Sequence, residues 1–404
     1  MKLLHTSDWH LGKRLDNYSR REEQEAVLQE ICDIADRQNV DAVLIAGDLY
    51  DTFNPATEAT ELFYRYTKRL SNNGKRPVIA IAGNHDSPER IEAPEPLARE
   101  CGIILSGLPK SEIAPFSLEN GLQIMRSEPG FIELKLPHTD VPLRLLLTPY
   151  ANELRIKTFL GVGDAETEMR DLLQLFWADI ARKYCDDKGV NILVTHLFMV
   201  KKGEPLPEEP EDEKPILFVG GAQAIYTQNV PAEIQYVALG HLHRCQTMDL
   251  VPCPVMYAGS PIAYSFAEAN QDKFAVLVEV EPGVKATTTK VPLRAGRKLL
   301  RNRFDNIDDA VVWLTDNPTA FVELTMASDT FLSAEDKKRL YDAHDSIVTI
   351  IPEMLHTDAE SRDAKTAIDL TKNMDALFAD FYQSKKGQAP NQRIMDLFNE
   401  ILGN

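Results

Sequence analysis

Five short apolar runs between the N-terminus and His243 each end at an aspartate, an asparagine or a histidine. The runs are KLLHT, AVLIAG, VIAIAG, NILVT and YVALG, and their composition predicts buried strands. The polar residues that follow them are Asp8 and His10; Asp48; Asn84, His85 and Asp86; His196; and His241 and His243. Because the carboxyl ends of strands form the ligand crevice of an α/β sheet, we expect these side chains to converge at one edge.

The spacing of apolar residues predicts how the rest of the chain is organised. Up to about residue 105, strands alternate with helices over 58–70 and 91–101, which is typical of βαβ units with a sheet covered by helices. Between 111 and 149 short alternating segments predict an antiparallel layer, followed by a helix over 165–184. Two sheets packed face to face with outer helices would use all of these elements.

The remaining part of the chain differs in composition. Residues 286–352 predict a small α+β unit, with strands near 286–291 and 321–324 and helices near 308–314 and 334–344. Two short amphipathic helices over 374–383 and 391–402 follow a polar stretch, and so short a pair must dock on something to be stable. The acidic, proline-rich residues 201–215 predict a solvated loop.

Composition limits the class of protein. A chain of 404 residues exceeds the size at which a single core stops growing, so we expect more than one domain. Its net charge of −18 argues against coating nucleic acid by bulk attraction, although a local basic surface stays compatible with it. Five scattered cysteines without a C-x-x-C pair indicate reduced thiols. No apolar run is long enough to span a membrane, so we expect a cytoplasmic protein.

The polar residues that follow the five runs form a candidate metal site. They include aspartates, an asparagine and histidines but no thiolate, a donor set that suits Mn, Fe, Zn or Mg. There are too many donors for one ion, and two ions bridged by a shared carboxylate would suit hydrolysis at phosphorus.

Each motif alone has an ordinary structural explanation. D-x-H occurs by chance, GNHD suits a turn, G-D suits a helix N-cap, and a lone His196 would more often be a core histidine. Their joint occurrence after apolar runs favours the metal site. By contrast, we assign no role to the histidines that lack this context: His5, His138, His344 and His356.

The ordered motifs DWH, GDLYD, GNHD, TH and GHLH resemble the signature of the calcineurin-like metallophosphoesterase superfamily. Within it, the blocks HTSDWHLGKRL, AGDLYDTFNP, AGNHDSPERI, VALGHLHRCQ and YAGSPIAYSF are similar to those of the bacterial SbcD family of nuclease subunits, as is the tail LTKNMDALFADFYQSKKG. The resemblance implies a double β-sandwich flanked by helices over 1–282, a small α+β capping domain over 283–352, and a linker with a C-terminal helix-loop-helix over 353–404.

The resemblance also implies roles for individual residues. One metal would be held by Asp8, His10, Asp48 and His243, and a second by Asp48, Asn84, His196 and His241, with Asp48 bridging two Mn²⁺ or other divalent ions. His85 matches the catalytic histidine of the family, which is not a ligand and aids expulsion of the leaving oxygen. Asp86 would orient His85 or simply stabilise the turn. Asp51 stands where archaeal and eukaryotic relatives usually have a histidine.

The activity implied is that of a Mn-dependent DNA nuclease, acting as an exonuclease on duplex ends and an endonuclease on single strands and hairpins. The C-terminal helices would dock on an SbcC-type SMC-like ATPase, with the chain as a homodimer within a heterotetramer. The helices over 58–70 and 91–101 are candidates for the dimer contact, but core packing explains their apolar residues equally well. The basic segment 294–303 suits either phosphate contact or a solvated strand. The alternatives are a metallophosphoesterase acting on small phosphodiesters or phosphoproteins, and a non-catalytic scaffold of the same fold.

Overall fold

Two stacked β-sheets form the centre of the computed structural model, which describes residues 1–150, 169–204, 225–269, 271–328 and 332–354 and residues 377, 378, 382, 390, 394, 395 and 398. The six-stranded sheet has the order Thr287–Leu293, Lys273–Glu279, Lys2–Thr6, Ala42–Ala46, Val78–Ile81, Ile103–Ser106. The seven-stranded sheet has the order Gln246–Asp249, Val255–Tyr257, Tyr236–Leu239, Val190–Thr195, Thr139–Thr148, Phe131–Leu136, Gln123–Glu128.

The strands that precede the polar motifs run parallel to their neighbours. Lys2–Thr6 pairs in parallel with Ala42–Ala46, which pairs in parallel with Val78–Ile81. In the other sheet, Val190–Thr195 is parallel to Tyr236–Leu239. The parallel strands of each sheet therefore end at a common edge, as the sequence predicts. The antiparallel layer expected between 111 and 149 is confirmed in the pairing of Phe131–Leu136 with both of its neighbours.

The two sheets pack face to face through fully buried aliphatic side chains. Leu44 and Ile79 of the six-stranded sheet belong to the same core cluster as Leu145 and Ile192 of the seven-stranded sheet. Helices cover the outer faces, so these strands are buried on both sides, which explains their continuous apolar runs. Within the described part of residues 1–354, the α-helices are Arg21–Arg37, Thr57–Leu70, Pro88–Glu92, Glu95–Ala98, Met169–Tyr184, Ile307–Asp316 and Ala334–Ala343.

Two expectations about these elements are wrong. The segment 91–101 is not one helix but two short helices, Pro88–Glu92 and Glu95–Ala98, and a 3₁₀ turn, Arg99–Cys101. Prolines at 94 and 96 interrupt it, because proline has no N–H to donate and clashes with the preceding turn. The strand expected near 286–291 in the small unit is instead Thr287–Leu293, which extends the six-stranded sheet.

A separate three-stranded sheet follows this strand. Its strands Leu299–Phe304, Phe321–Ser328 and Ile347–Met354 are all parallel, and helices Ile307–Asp316 and Ala334–Ala343 connect them. The first and third strands were not among the predicted elements. In Leu299–Phe304 (LLRNRF) charged and polar residues follow two leucines, and Ile347–Met354 (IVTIIPEM) contains a proline, which is uncommon within strands. The remaining short elements are the strands Arg14–Leu15, Tyr18–Ser19, Met199–Val200 and Ile225–Tyr226 and the 3₁₀ turns Thr227–Asn229 and Phe266–Glu268.

The basic segment 294–303 belongs partly to this small sheet. Arg301 pairs with Glu323 on the adjacent strand, and Arg303 pairs with Glu353 on the far strand of the sheet. The Arg297 guanidinium lies 3.8 Å from the centroid of the Phe321 ring. These contacts favour a structural role, not phosphate contact, for three of the five basic side chains of this segment. Phosphate contact by the segment stays a prediction.

The small sheet is joined to the first helix by buried charges. The side chain of Arg20, which is 1% exposed, pairs with Glu23 and lies 5.2 Å from the centroid of the Phe321 ring. A carboxylate oxygen of Glu23 accepts the Arg297 backbone N–H at 2.6 Å. Helix Arg21–Arg37 therefore contacts both the six-stranded sheet and the small unit.

Several expectations fall largely outside the described residues, including most of 201–215 and of the helix pair. Where the tail is described, the Phe378 and Phe398 rings stack with centroids 3.9 Å apart and an angle of 7°.

All five cysteines are free thiols; Cys32 and Cys253 are buried and the other three are half-buried. Within the described ranges, no helix combines the length and apolar character needed to cross a bilayer.

We expect Leu44→Ala to lower the free energy of unfolding by about 2–5 kcal/mol, because it leaves a cavity between the sheets. Leu97→Ala is the matched control, since that side chain is 79% exposed and Leu44 is fully buried. The control should change stability by less than about 0.5 kcal/mol. Urea unfolding measures both, and equal losses would contradict the described packing.

Candidate metal centre

The polar residues that follow the five runs meet at the carboxyl edges of both sheets. Asn84 and His85 are half-buried there. The other members of this group are buried: Asp8, His10, Asp48, Asp86, His196, His241 and His243. Residues from five distant segments therefore share one pocket, as expected from the ends of parallel strands.

The Asp48 carboxylate lies between two sets of donor atoms. Its Oδ2 is 3.5 Å from His10 Nε2 and 3.4 Å from His196 Nε2. On one side, His10 Nε2 is 3.0 Å from His243 Nε2. On the other side, Asn84 Oδ1 is 3.0 Å from His196 Nε2 and 2.9 Å from His241 Nδ1.

Asp8 is close to both sets. Its carboxylate lies within 4.8 Å of ligand atoms of His10 and His243, and also of Asp48 and His196. One of its oxygens accepts the His241 backbone N–H at 2.9 Å, and the other accepts the Ser7 hydroxyl at 2.5 Å. The pocket thus has two adjoining donor groups that share a carboxylate.

The outer nitrogens of two rings decide which atoms face the pocket. His196 Nδ1 is 2.8 Å from the Ala46 carbonyl oxygen, and His243 Nδ1 is 3.1 Å from Glu268 Oε1. An N–H that donates to these oxygens leaves the lone pair of a neutral ring on Nε2. In that tautomer, His196 Nε2 and Asn84 Oδ1 point their lone pairs at each other. A cation bound between these two atoms would remove the repulsion. The donor set therefore fits divalent metal ions.

Burial and mutual charge shift the pKa values within the pocket. Burial raises the pKa of Asp8 to about 6 and lowers the pKa of His241 to about 3. Burial also opposes ionisation of Asp48, but the neighbouring rings of His196, His10 and His85 together outweigh it and hold the Asp48 pKa well below its usual range. Against the same effect of burial, Asp48 raises the pKa of His196 to about 9. A cation bound between these two would displace a proton.

The backbone at the pocket is strained. Four of the residues have left-handed φ angles: 53° at Asp8, 41° at His10, 48° at Asp48 and 112° at His241. Such conformations cost about 1–3 kcal/mol each in a non-glycine residue and concentrate at functional sites. This strain supports a role for the pocket beyond packing.

Glycines allow the side chains to approach closely. A Cβ atom at Gly83 would lie 2.1 Å from Asp48 Oδ1, and one at Gly47 would lie 2.2 Å from His196 Nδ1. Both distances are far below van der Waals contact. Gly47 in AGD therefore leaves the space that the His196 ring occupies, and Gly83 in AGN leaves the space that the Asp48 carboxylate occupies.

His85 is held by Asp51 and not by Asp86. The His85 ring Nδ1 is 2.8 Å from the Asp51 carbonyl oxygen, and its backbone N–H donates to Asp48 Oδ1 at 2.8 Å. The Asp86 carboxylate instead accepts three backbone N–H groups, those of Leu49, Tyr50 and Gly83. Of the two roles expected for Asp86, these contacts correspond to stabilisation of the turn.

The remaining described histidines lie outside the pocket. His5 is a core histidine whose ring contacts the Tyr236 hydroxyl at 2.8 Å and the Leu239 carbonyl at 3.1 Å. His138 pairs with Asp41, and His344 contacts the Asn317 carbonyl. His356 is outside the described residues. Sequence reasoning missed Glu268, which contacts His243, because no pattern in AEANQDK distinguishes it from a surface acid.

The small three-stranded unit is connected to the pocket through one helix. Gln24 of helix Arg21–Arg37 accepts the Gly12 N–H at 3.2 Å and donates to the His10 carbonyl at 3.0 Å. The preceding residue, Glu23, accepts the backbone N–H of Arg297. The start of this helix thus contacts both the loop of His10 and the start of the small unit.

Comparisons with known proteins agree with this geometry. Residues 1–245 match the family described as calcineurin-like phosphoesterase. The chain is 34% identical over 412 residues to a Bacillus subtilis (strain 168) protein named as the D component of the nuclease SbcCD, covering 99% of this chain and 97% of that protein.

Two further relatives carry the same name. The Rhodobacter capsulatus protein is 30% identical over 302 residues, covering 74% of this chain and 71% of that protein. The Escherichia coli (strain K12) protein is 27% identical over 417 residues, covering 100% of this chain and 98% of that protein. The similarity thus extends well beyond the matched family region.

We expect Gly83→Ala to weaken divalent-cation binding, with Mn²⁺ as the probe, on the order of 10- to 100-fold, because the added methyl displaces the Asp48 carboxylate. Isothermal titration calorimetry on the folded variant measures this. Gly203→Ala is the control: it adds a methyl at a φ of +88° but meets no atom within 4 Å. Unchanged Mn²⁺ affinity in Gly83→Ala would contradict the role of this close approach.

Proposed function

Because the chain belongs to the calcineurin-like phosphoesterase family, we propose that it is the nuclease subunit of a DNA end-processing complex of the SbcC–SbcD type. Its activity would be Mn²⁺-dependent cleavage of phosphodiesters, as an exonuclease on duplex ends and an endonuclease on single strands and hairpins. Relatives named as nuclease subunits that match nearly the whole chain support this proposal.

The observation that carries the proposal is the position of Asp48 between His10 and His196, at 3.5 and 3.4 Å. A carboxylate shared by two donor groups suits two divalent ions better than one. The proposed ligands of one ion are Asp8, His10, Asp48 and His243, and those of the other are Asp48, Asn84, His196 and His241. When bound, such a pair polarises the phosphodiester and activates water.

His85 is the proposed general acid. Its Nδ1 is anchored to the Asp51 carbonyl, so Nε2 is the atom that can transfer a proton. The ring is half-buried and lies 4.9 Å, centroid to centroid, from the ring of the proposed ligand His10. A protonated ring at this place would donate to the leaving oxygen of the cleaved strand. Asp86 would contribute indirectly, by fixing the turn that carries His85.

The proposed partners follow from the same family relationship. The C-terminal segment would dock on an SbcC-type ATPase, and the chain would act as a homodimer within a cytoplasmic heterotetramer bound to DNA ends or hairpins. The stacking of Phe378 on Phe398 is consistent with two helices that fold back on each other. The apolar positions of these helices would then be covered by the partner.

We expect His85→Ala to lower Mn²⁺-dependent cleavage of DNA by about 10²- to 10⁴-fold, because it removes the proton donor. Its Mn²⁺ affinity should stay close to that of the wild type. Gel assays on a blunt duplex and a hairpin measure cleavage, and calorimetry measures metal binding. His138→Ala is the control, since His138 pairs with Asp41 and is 50% exposed at its side chain.

Two results would contradict the proposal. Cleavage of bis-p-nitrophenyl phosphate without cleavage of any DNA, even with the ATPase partner present, would favour a phosphoesterase for small molecules. Absence of all hydrolysis by a wild-type chain that binds two Mn²⁺ per molecule would favour the scaffold. Full activity of the His85→Ala variant would contradict only the proposed role of His85 as the general acid.

We expect a chain shortened after residue 365 to retain Mn²⁺-dependent nuclease activity but to lose binding to the ATPase partner. The reason is that the proposed ligands all precede residue 244, whereas the apolar helical positions lie in the removed tail. Co-purification of tagged partner with full-length and shortened chains measures this. Equal recovery of both would refute the assigned docking segment.

A further inference from the structure

A buried carboxylate lies directly behind one of the proposed ligands. Glu268, which is 1% exposed, closes the 3₁₀ turn Phe266–Glu268. Its Oε1 is 3.1 Å from His243 Nδ1 and also accepts the Tyr264 backbone N–H at 3.0 Å. The nitrogen opposite this contact, His243 Nε2, faces His10 in the pocket. Glu268 thus contacts the ring on the side away from the donor atoms.

A buried lysine holds this carboxylate in place. Lys273 is 8% exposed, and its Nζ contacts Glu268 Oε2 directly. The same Nζ donates to the Ser260 hydroxyl at 2.8 Å and to the carbonyl oxygen of His243 at 3.1 Å. These three acceptors match the three protons of an ammonium group. Lys273 therefore connects Glu268 with the backbone of the histidine that Glu268 contacts.

Stability alone gives a weak reason for this arrangement. Removing a carboxylate and an ammonium from water costs several kcal/mol per ion, and apolar replacements of buried pairs are often neutral or stabilising. A carboxylate is, however, a stronger acceptor than a carbonyl for an imidazole N–H, and it fixes the tautomer and raises the basicity of the other nitrogen. The corresponding nitrogen of His196 has the Ala46 carbonyl as its acceptor.

We infer that Glu268, held by Lys273, is a positioning residue that fixes His243 with its Nε2 lone pair towards Asp8, His10 and Asp48 and thereby sets the divalent-cation affinity of that site. The inference rests on the ligand sets proposed above. It assigns a role to the block YAGSPIAYSF and the residues that follow it, which the proposed ligand sets do not use. It also makes the two metal sites unequal, with tighter binding at the one that includes His243.

The test is calorimetric titration of the full chain with Mn²⁺. Wild type should bind two ions with different affinities. Glu268→Ala should weaken one of them by about 10- to 100-fold, the usual effect of removing the partner of a ligating histidine. Asp249→Ala is the matched control, because Asp249 is a buried carboxylate that accepts from Thr227 and two backbone N–H groups outside the pocket. It should leave both affinities unchanged.

A double-mutant cycle separates positioning from a general loss of structure. In a His243→Ala background, Glu268→Ala should cause no further loss of Mn²⁺ affinity, because its effect passes through that ring. An equal loss in both backgrounds, or wild-type affinity in a folded Glu268→Ala variant, would overturn the inference.

A conservative variant covers the case in which Glu268→Ala fails to fold. Glu268→Gln keeps the shape and a carbonyl acceptor for His243 Nδ1, so it should weaken Mn²⁺ binding by less than alanine but measurably. Unchanged affinity in Glu268→Gln together with an unfolded alanine variant would also overturn the inference. Failure of the proposed function would look different, because wild type itself would then bind fewer than two Mn²⁺ or leave DNA intact.

Discussion

The shared position of the Asp48 carboxylate depends on how the two sheets stack. Its Oδ2 is 3.5 Å from His10, which follows a strand of the same sheet, and 3.4 Å from His196, which follows a strand of the other sheet. These contacts require both sheets to present the carboxyl ends of parallel strands at one edge. The buried aliphatic layer that contains Leu44 and Ile192 holds the sheets in that alignment.

Hydrogen bonds within the pocket offset part of its backbone strain and buried charge. Asp8, His10 and Asp48 have left-handed φ angles, which residues other than glycine rarely adopt. Their side chains lie in the pocket with the backbone in this conformation. Backbone N–H groups and outer hydrogen-bond acceptors then fix those side chains: His241 N–H on Asp8, and the Ala46 carbonyl on His196. The result is a set of donors whose orientation is fixed by hydrogen bonds within the chain, as a metal site requires.

The sequence by itself determined which residues enter the pocket and which elements carry them. An apolar run that ends at a polar residue identifies both a buried strand and its carboxyl end, so the pocket residues from Asp8 to His243 that follow such runs could be selected without coordinates. The apolar pattern was less reliable where prolines interrupt it. It predicted one helix over 91–101, but the prolines at 94 and 96 divide this segment into short helices. The ordered motifs likewise sufficed to indicate the family.

Only the tertiary structure decided which atoms touch. Three contacts illustrate this: strand Thr287–Leu293 pairs within the six-stranded sheet, the Asp51 carbonyl contacts the His85 ring, and Glu268 contacts His243. Each joins residues that only folding brings together. Such contacts depend on register and on side-chain direction, which alternation patterns do not encode. For Glu268 the reason is plainest: a buried acid and a surface acid have the same letter, and only packing distinguishes them.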